Sequence, residues 1–289
     1  MIGLLCLSIV LSAGRNLLSQ QISRADFGTR PFFAAQAALF AAGACTLLAG
    51  QTGLSISLET VLFAAVYAAL LLTAQWCYTA ALQSGQVAIC ATVYSLGFIF
   101  PTMSCMLFWG EPCSPCQIVG IALVVPTIIL SGMKGRKAPS ALSPGRMAFL
   151  LTAMLASGGL GIVQKLQQSA PHASERAAFV LIAFVLAACA SLAMAFLRKG
   201  EQPRGRDLRF AAGAGICFAL CNLFNTILAG ALKSAILFPS LNIGSILLSL
   251  LLGLVLLRER FTLRHLGVLL LGIASILLIC ACPASANLL

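Results

Sequence analysis

Residues 58–82 read LETVLFAAVYAALLLTAQWCYTAAL, with a single charge, Glu59, at the leading edge. Apolar side chains follow one another without the every-second-residue alternation of a half-buried strand. About twenty such residues, wound as a helix at ~1.5 Å each, cover the ~30 Å hydrocarbon core of a bilayer. The surroundings are of the same kind, for the chain contains no Lys or Arg from Pro31 to Met133. A run of that length is too long for one core element, so it must hold several apolar spans joined by uncharged loops. In lipid only helices and closed barrels pair all their backbone polar groups. Continuous rather than alternating apolar residues select helices.

Of 289 residues, 60% are hydrophobic and 9% charged, with a mean hydropathy of +1.02. A soluble domain carries about a quarter charged residues to face water, and the charges here are too few to cover a globule. The net charge of +11 would point to nucleic acid in a soluble protein, but no basic face is interleaved with stacking aromatics. Basic anchors on cytoplasmic loops account for it instead. The N-terminal Met-Ile-Gly-Leu-Leu-Cys has no basic n-region and no clear cleavage site, so the first apolar run is expected to be a helix and not a cleaved signal peptide.

Apolar runs and their breaks predict ten transmembrane spans, at 2–22, 31–50, 58–82, 86–109, 115–133, 146–168, 174–197, 208–232, 236–257 and 263–282. The two longest connections are basic, around 134–146 and 198–209. The first divides the chain into residues 1–133, a linker at 134–145, and residues 146–289. The two parts look alike. Ala81-Leu82-Gln83-Ser84 closes the third span and Ala231-Leu232-Lys233-Ser234 the eighth. Each is followed by an apolar helix with one proline (Pro101, Pro239), a glutamate (Glu111, Glu259), a short polar break, and a helix containing a glycine (Gly120, Gly267). Five helices is an odd number, so the second half must be inverted relative to the first. The expected fold is therefore an all-α membrane protein built as a five-plus-five inverted repeat, a plan that places a substrate site near the midplane.

Loop charges set the expected orientation. The connections after spans one, five, seven and nine hold Arg24, Arg30, Lys134, Arg136, Lys137, Arg146, Arg198, Lys199, Arg204, Arg206, Arg209, Arg258, Arg260 and Arg264, which is 14 of the 18 Lys and Arg. The opposite connections hold Lys165, Arg176 and Lys233. This bias puts the odd-numbered connections in the cytoplasm and both termini outside, in a multi-pass protein of the cell (inner) membrane.

Ten short-looped helices, the five-plus-five repeat, and the pair Trp109-Gly110-Glu111…Gly120 and Arg258-Glu259-Arg260-Phe261…Gly267 resemble the ten-helix EamA-type members of the drug/metabolite transporter superfamily. The resemblance spans nearly the whole chain. It implies movement of an amino acid, amine, drug or related metabolite through a central cavity. It also implies cytoplasmic termini, and there the charge count says the reverse. The related small multidrug-resistance proteins carry a proton-coupling glutamate in their first helix. Span one here has no acid, since Asp26 lies in the following loop and Glu59 at the start of span three.

Polar groups inside apolar helices are costly and face a cavity or a partner helix. In span one these are Arg15, Asn16 and Gln20. Arg15 reads either as a cavity cation for an anionic group or as a side chain that snorkels to the interface. In span three, Tyr67, Leu71, Gln75 and Tyr78 share a helical face, as do Phe218, Asn222, Asn225 and Ala229 in span eight. Gln75 and Asn225 stand at equivalent distances from Leu82 and Leu232. The amides suit a neutral or zwitterionic solute, and equally interhelical hydrogen bonds. Tyr94 and Asn242 are equivalent when measured back from Glu111 and Glu259. Lys165 falls near the position matching Gln20. Trp109 reads as an interfacial anchor, while Trp76 lines the cavity or faces lipid.

Most of the cysteines stand singly in helices as small hydrophobes. Cys113-Ser-Pro-Cys116 is one C-x-x-C without a second pair, so zinc is not expected, and a disulfide stays open. His172 and His265 are read as loop residues without a nucleophile to partner. No cofactor or metal is expected. The expected function is a secondary transporter of a small organic solute working by alternating access; the alternative is a membrane-embedded enzyme acting on lipid or isoprenoid. The expected partners are that solute and the lipid bilayer, with no nucleic acid. Two halves can form a pathway within a monomer, and a homodimer stays open.

Overall fold

Uninterrupted apolar sequence with few breakers gives helix over most of the described chain. The computed structural model describes residues 1–22, 28–50, 55–82, 93–110, 113–132, 144–198, 200–201, 203–256 and 263–281. Among these, the regular elements are α1 (Ile2–Ile22), α2 (Arg30–Ala49), α3 (Leu58–Leu82), α4 (Ile99–Phe108), α5 (Pro115–Gly132), α6 (Pro144–Ser169), α7 (Arg176–Leu197), α8 (Gly205–Ala231), α9 (Ser234–Leu256) and α10 (Leu263–Ala281). Short 3₁₀ turns at Leu96–Phe98 and Ala173–Glu175 precede α4 and α7, and no strand occurs among the described residues. Five of the helices, α2, α3, α6, α7 (extended back to Ala173) and α8, are long and apolar enough to cross a membrane. Shorter apolar stretches lie within α1, α5, α9 and α10, and across the region of α4.

Local chemistry fixes several boundaries. Ser114-Pro115-Cys116-Gln117 is a reciprocal cap: Gln117 N–H donates to Ser114 Oγ at 3.2 Å and Ser114 N–H to Gln117 Oε1 at 3.0 Å. Two orphan donors of α5 are thereby satisfied, with proline at the position where it costs least. The linker at 134–145, Glu111 and Glu259 lie outside the described residues, apart from the helical residues Pro144 and Gly145. His265 falls in the first turn of α10 instead of a loop, since the helix begins at Leu263, three residues ahead of the continuous apolar run from Leu266. Pro101 has no N–H to offer the Gly97 carbonyl, and the chain tightens into the 3₁₀ turn just before it. Thr102 Oγ1 returns a bond to Phe98 O at 2.9 Å.

Pairs of contacts give the direction of packing. α1 runs antiparallel to α8, since Ser8 meets Asn225 while Leu18 lies beside Gly213. α3 runs antiparallel to α6, with Tyr67 on Gln164 and Leu70 against Gly159. α2 opposes α7, through Phe40 on Phe184 and Arg30 beside Gly200. α5 opposes α10, through Gln117 on Ile279 and Leu130 against Gly267. α2 and α8 run parallel, Leu39 at Gly215 and Ala219 near Gly43. α4 runs parallel to α6: Gly97 meets Met154, and Pro101 meets Gly161.

Small residues make these approaches close, as lipid-facing bundles require when apolar burial no longer distinguishes helix from lipid. A Cβ on Gly215 would overlap the Leu39 backbone carbonyl. Two apolar clusters result. One gathers Phe40, Tyr67, Leu71, Phe179, Phe184 and Phe218 from α2, α3, α7 and α8. The other gathers Phe98, Val124, Ile128, Leu228, Leu237 and Ile279 around α5, α8, α9 and α10.

Candidate functional site

One face of α8 collects the polar groups of several helices. Four residues along it, Phe218, Asn222, Asn225 and Ala229, are spaced by four, three and four positions, which aligns them on a helix. Each has a partner from another helix. The Arg15 guanidinium of α1 lies over the Phe218 ring, Cζ 3.6 Å from its centroid. Fully buried Tyr67 of α3 donates its hydroxyl to Asn222 Oδ1 at 2.5 Å. Gln164 of α6 donates to the Tyr67 oxygen at 3.0 Å and reaches the Asn222 carbonyl at 3.4 Å. Ser8 of α1 donates to Asn225 Oδ1 at 2.5 Å and lies 3.4 Å from Cys221 Sγ. Lys165 of α6 donates to the Ala229 carbonyl at 3.2 Å.

Side chains also quiet the α8 backbone. Asn222 Nδ2 donates to Phe218 O at 2.8 Å and Thr226 Oγ1 to Asn222 O at 2.8 Å. The Asn222 carboxamide thus links a neighbouring helix through its oxygen and its own helix through its nitrogen.

Of the residues singled out from sequence, Arg15, Tyr67, Asn222 and Asn225 meet this face of α8. Gln75 is buried on α3, two turns along from Tyr67 on the same side. Tyr78 and Tyr94 stack on each other, centroids 4.5 Å apart and tilted by 41°. Asn242 is half-buried on α9, and Asn16 is exposed on α1. Gln20 belongs to α1, but its side chain lies outside the described part. Trp76 packs edge-on against Phe33 of α2 at 5.2 Å, and its buried indole nitrogen has no partner among the described residues. Trp109 donates to Ser169 Oγ at 3.0 Å, tying the ends of α4 and α6.

Gln164, Ser8 and Cys221 are the participants that sequence reasoning passes over. Gln164 carries the same signal as the amides that were chosen, a polar residue inside an apolar helix, but it stands beside a charged neighbour. Ser8 and Cys221 are too small to stand out from alanine.

Away from the ladder, buried Glu175 accepts from Ser57 N–H and Ser57 Oγ, both at 2.8 Å, where α3 begins. His172 approaches it at 4.0 Å. Carboxylates are stabilised at helix N-termini, so this pair fastens the chain before α7 to the start of α3. A cavity of about 160 Å³ lies between α2 and α7, lined by Arg30, Ala34, Leu192, Ala195, Phe196 and Pro203. Cys113 and Cys116 are free thiols. No group of three His, Cys, Asp or Glu able to hold a metal occurs among the described residues.

No family model matches the sequence. None of the curated proteins matches it. The fold itself is shared: 28 chains of solved structures match it. One of them, described only as "Crystal structure of protein", superposes with a TM-score of 0.77 at 16% identity, over 96% of this chain and 95% of its own.

Proposed function

We propose that the chain is a ten-span secondary transporter of the EamA type, moving a small organic solute through the space bordered by the polar face of α8. The observation that carries this is the convergence of polar side chains from α1, α3 and α6 on that one face. A membrane protein that only held a shape would have no need to bring a guanidinium, a phenol and three carboxamides together there, where each group is costly.

Helix polarity supports ten crossings. If every helix crosses once, helices an odd number apart run antiparallel and those an even number apart run parallel. The α1/α8, α2/α7, α3/α6 and α5/α10 pairs follow the first rule, and α2/α8 and α4/α6 the second. An inverted repeat is supported by the same contacts. Matching α1–α5 to α6–α10 makes the α1/α8 pair equivalent to α6/α3. It also makes α2 and α5 each pack antiparallel against its own counterpart, as an axis lying in the membrane plane requires. Gly120 and Gly267, the matched glycines, both lie in the α5/α10 interface.

In this reading the protein lies in the cell membrane, with the 134–145 linker and the basic connections in the cytoplasm. Purified protein is screened by thermal shift against a panel of amino acids, amines, organic acids and drugs, followed by flux in liposomes. A solute that both stabilises the protein and crosses is the expected result. Asn225→Ala and Gln75→Ala should each slow its flux severalfold with expression unchanged. If no class gives either signal, transport is refuted; unchanged flux in both variants refutes this placement of the pathway. A cysteine introduced in the linker and probed from outside intact cells should stay unlabelled, and ready labelling refutes the orientation.

A further inference from the structure

The ladder on α8 is capped by a cation at each end. Arg15 stands at Phe218 and Lys165 at Ala229. These contacts are eleven residues apart on one helix, roughly 16 Å at ~1.5 Å per residue. Between them lie the hydrogen-bonding groups of Asn222, Tyr67, Gln164, Asn225 and Ser8.

The two cations also occupy matching places in the two halves. α3 and α8 align by Ala81 with Ala231 and Gln75 with Asn225, which equates Tyr67 with Cys217. Gly14 faces Cys217, and Gln164 faces Tyr67. Gly14 and Gln164 are therefore counterparts, and so are the residues that follow them, Arg15 and Lys165. This displaces the sequence-based match of Lys165 with Gln20, which lacked the register that helix packing supplies. Arg15 is the one basic residue of α1. In α6, Lys165 is the one basic residue beyond the first turn.

An arginine within an apolar helix is expensive unless it meets a partner. Half-buried Arg15 meets an aromatic face, which attracts a cation but accepts none of its five N–H groups in the plane of the fork. It has no carboxylate or hydrogen-bond acceptor among the described residues. A planar fork with its donors free is suited to a bidentate oxyanion.

We propose that Arg15 and Lys165 are paired stations for an oxyanionic group of the solute, a carboxylate or a phosphate, one at each end of the α8 ladder. This rests on the transport reading above and names the solute class. Inversion places the stations toward opposite membrane faces. Opening on one side exposes one cation, and opening on the other exposes its counterpart. The uncharged hydrogen-bonding groups between them accompany the solute without holding it.

The test uses the full chain, purified in detergent and then in liposomes, with succinate, inorganic phosphate, choline and glucose as probes. Succinate or phosphate should raise the melting temperature and cross the liposome membrane, and which of the two does so separates the carboxylate from the phosphate source. Arg15→Gln should weaken the response at least tenfold, and Arg15→Lys should restore part of it. Lys165→Met should slow flux at least tenfold, with Lys165→Arg retaining it. Should Arg15→Gln fail to fold, the Lys165 pair and Arg15→Lys carry the same comparison.

Anion binding lost in Arg15→Gln, without flux of any probe, supports the stations and refutes transport. Flux of choline or glucose while neither anion binds refutes the stations and leaves transport standing. An anion response equal in wild type, Arg15→Gln and Lys165→Met overturns the proposal as well.

Discussion

Replacing Tyr67 with Phe removes one oxygen from the centre of the ladder and little else. The ring keeps its packing against Phe179, with centroids 5.0 Å apart. Two interhelical bonds disappear, the donation to Asn222 Oδ1 and the acceptance from Gln164 Nε2. Gln164 keeps its longer contact to the Asn222 carbonyl at 3.4 Å, whereas Asn222 Oδ1 loses the one donor it has among the described residues. Interhelical bonds of this kind within membranes average ~0.6 kcal/mol and reach ~1.7. Two of them, with one acceptor stranded in a fully buried site, should therefore cost about 1–3 kcal/mol.

Equilibrium unfolding in mixed micelles of increasing denaturing detergent measures this directly. A double-mutant cycle with Asn222→Ala isolates the shared bond, and the coupling should be about 0.6–1.7 kcal/mol. A Tyr67→Phe protein within ~0.3 kcal/mol of wild type, with no coupling to Asn222, would refute the closed hydrogen-bonded cluster. In that case water fills the site and replaces the lost hydroxyl at no cost.

Other perturbations act on separate parts of the bundle. Gly215→Ala drives a Cβ into the Leu39 carbonyl, so α2 and α8 must separate; a loss of about 1–3 kcal/mol is expected from overpacking, and a melting temperature equal to wild type would contradict the close approach. Glu175→Ala removes the acceptor of Ser57 N–H and Oγ. Amide hydrogen exchange should accelerate at Ser57 and Thr60 and stay unchanged in α8, and unchanged exchange at 57–60 would disprove the tie. In a background retaining only Cys113 and Cys116, both should react with maleimide in non-reducing buffer, since both are free. Burial pushes the Cys113 thiol up, so it stays protonated to higher pH and its labelling rate should climb about tenfold per pH unit up to that raised value. A rate flat from pH 7 to 9, or two thiols that react only after reduction, would show otherwise.

Helix positions were legible because hydropathy alone determines them. The span expected at 58–82 coincides with α3, and α6, α8 and α9 begin two or three residues before their expected starts. The apolar runs end in polar caps and basic connections whose cost in lipid stops each helix. Helix pairing was not legible in the same way. Which helices touch, and in what register, depends on where glycine admits a neighbour, as at Gly215 and Leu39. Nothing in a single chain's hydropathy distinguishes that glycine from one facing lipid.

The same reason explains the partial reading of the ladder. The stripe Phe218, Asn222, Asn225 and Ala229 is a helical period and can be counted, while its partners Ser8, Tyr67 and Gln164 lie 58 to 217 residues away. Matching the two halves finds few of them, because the polar contents are not duplicated with the frame. Glycine stands in α1 where α6 has Gln164, cysteine in α8 where α3 has Tyr67, and leucine in α3 where α8 has Asn222. In the proposed two-half arrangement, the ladder residues that keep a polar counterpart are Asn225, matched by Gln75, and the pair Arg15 and Lys165. The unmatched groups make a closed hydrogen-bonded core on one side of the axis, and the matched groups border it. Under the proposed inverted repeat and transport function, a duplicated frame would give the protein two equivalent ways to open, and the unequal polar fill would decide which of them is the more stable. Tyr67→Phe should therefore do more than lower stability: by weakening one side's closure, it should shift the balance between inward- and outward-open forms, read as a change in cysteine accessibility from the two faces of the membrane.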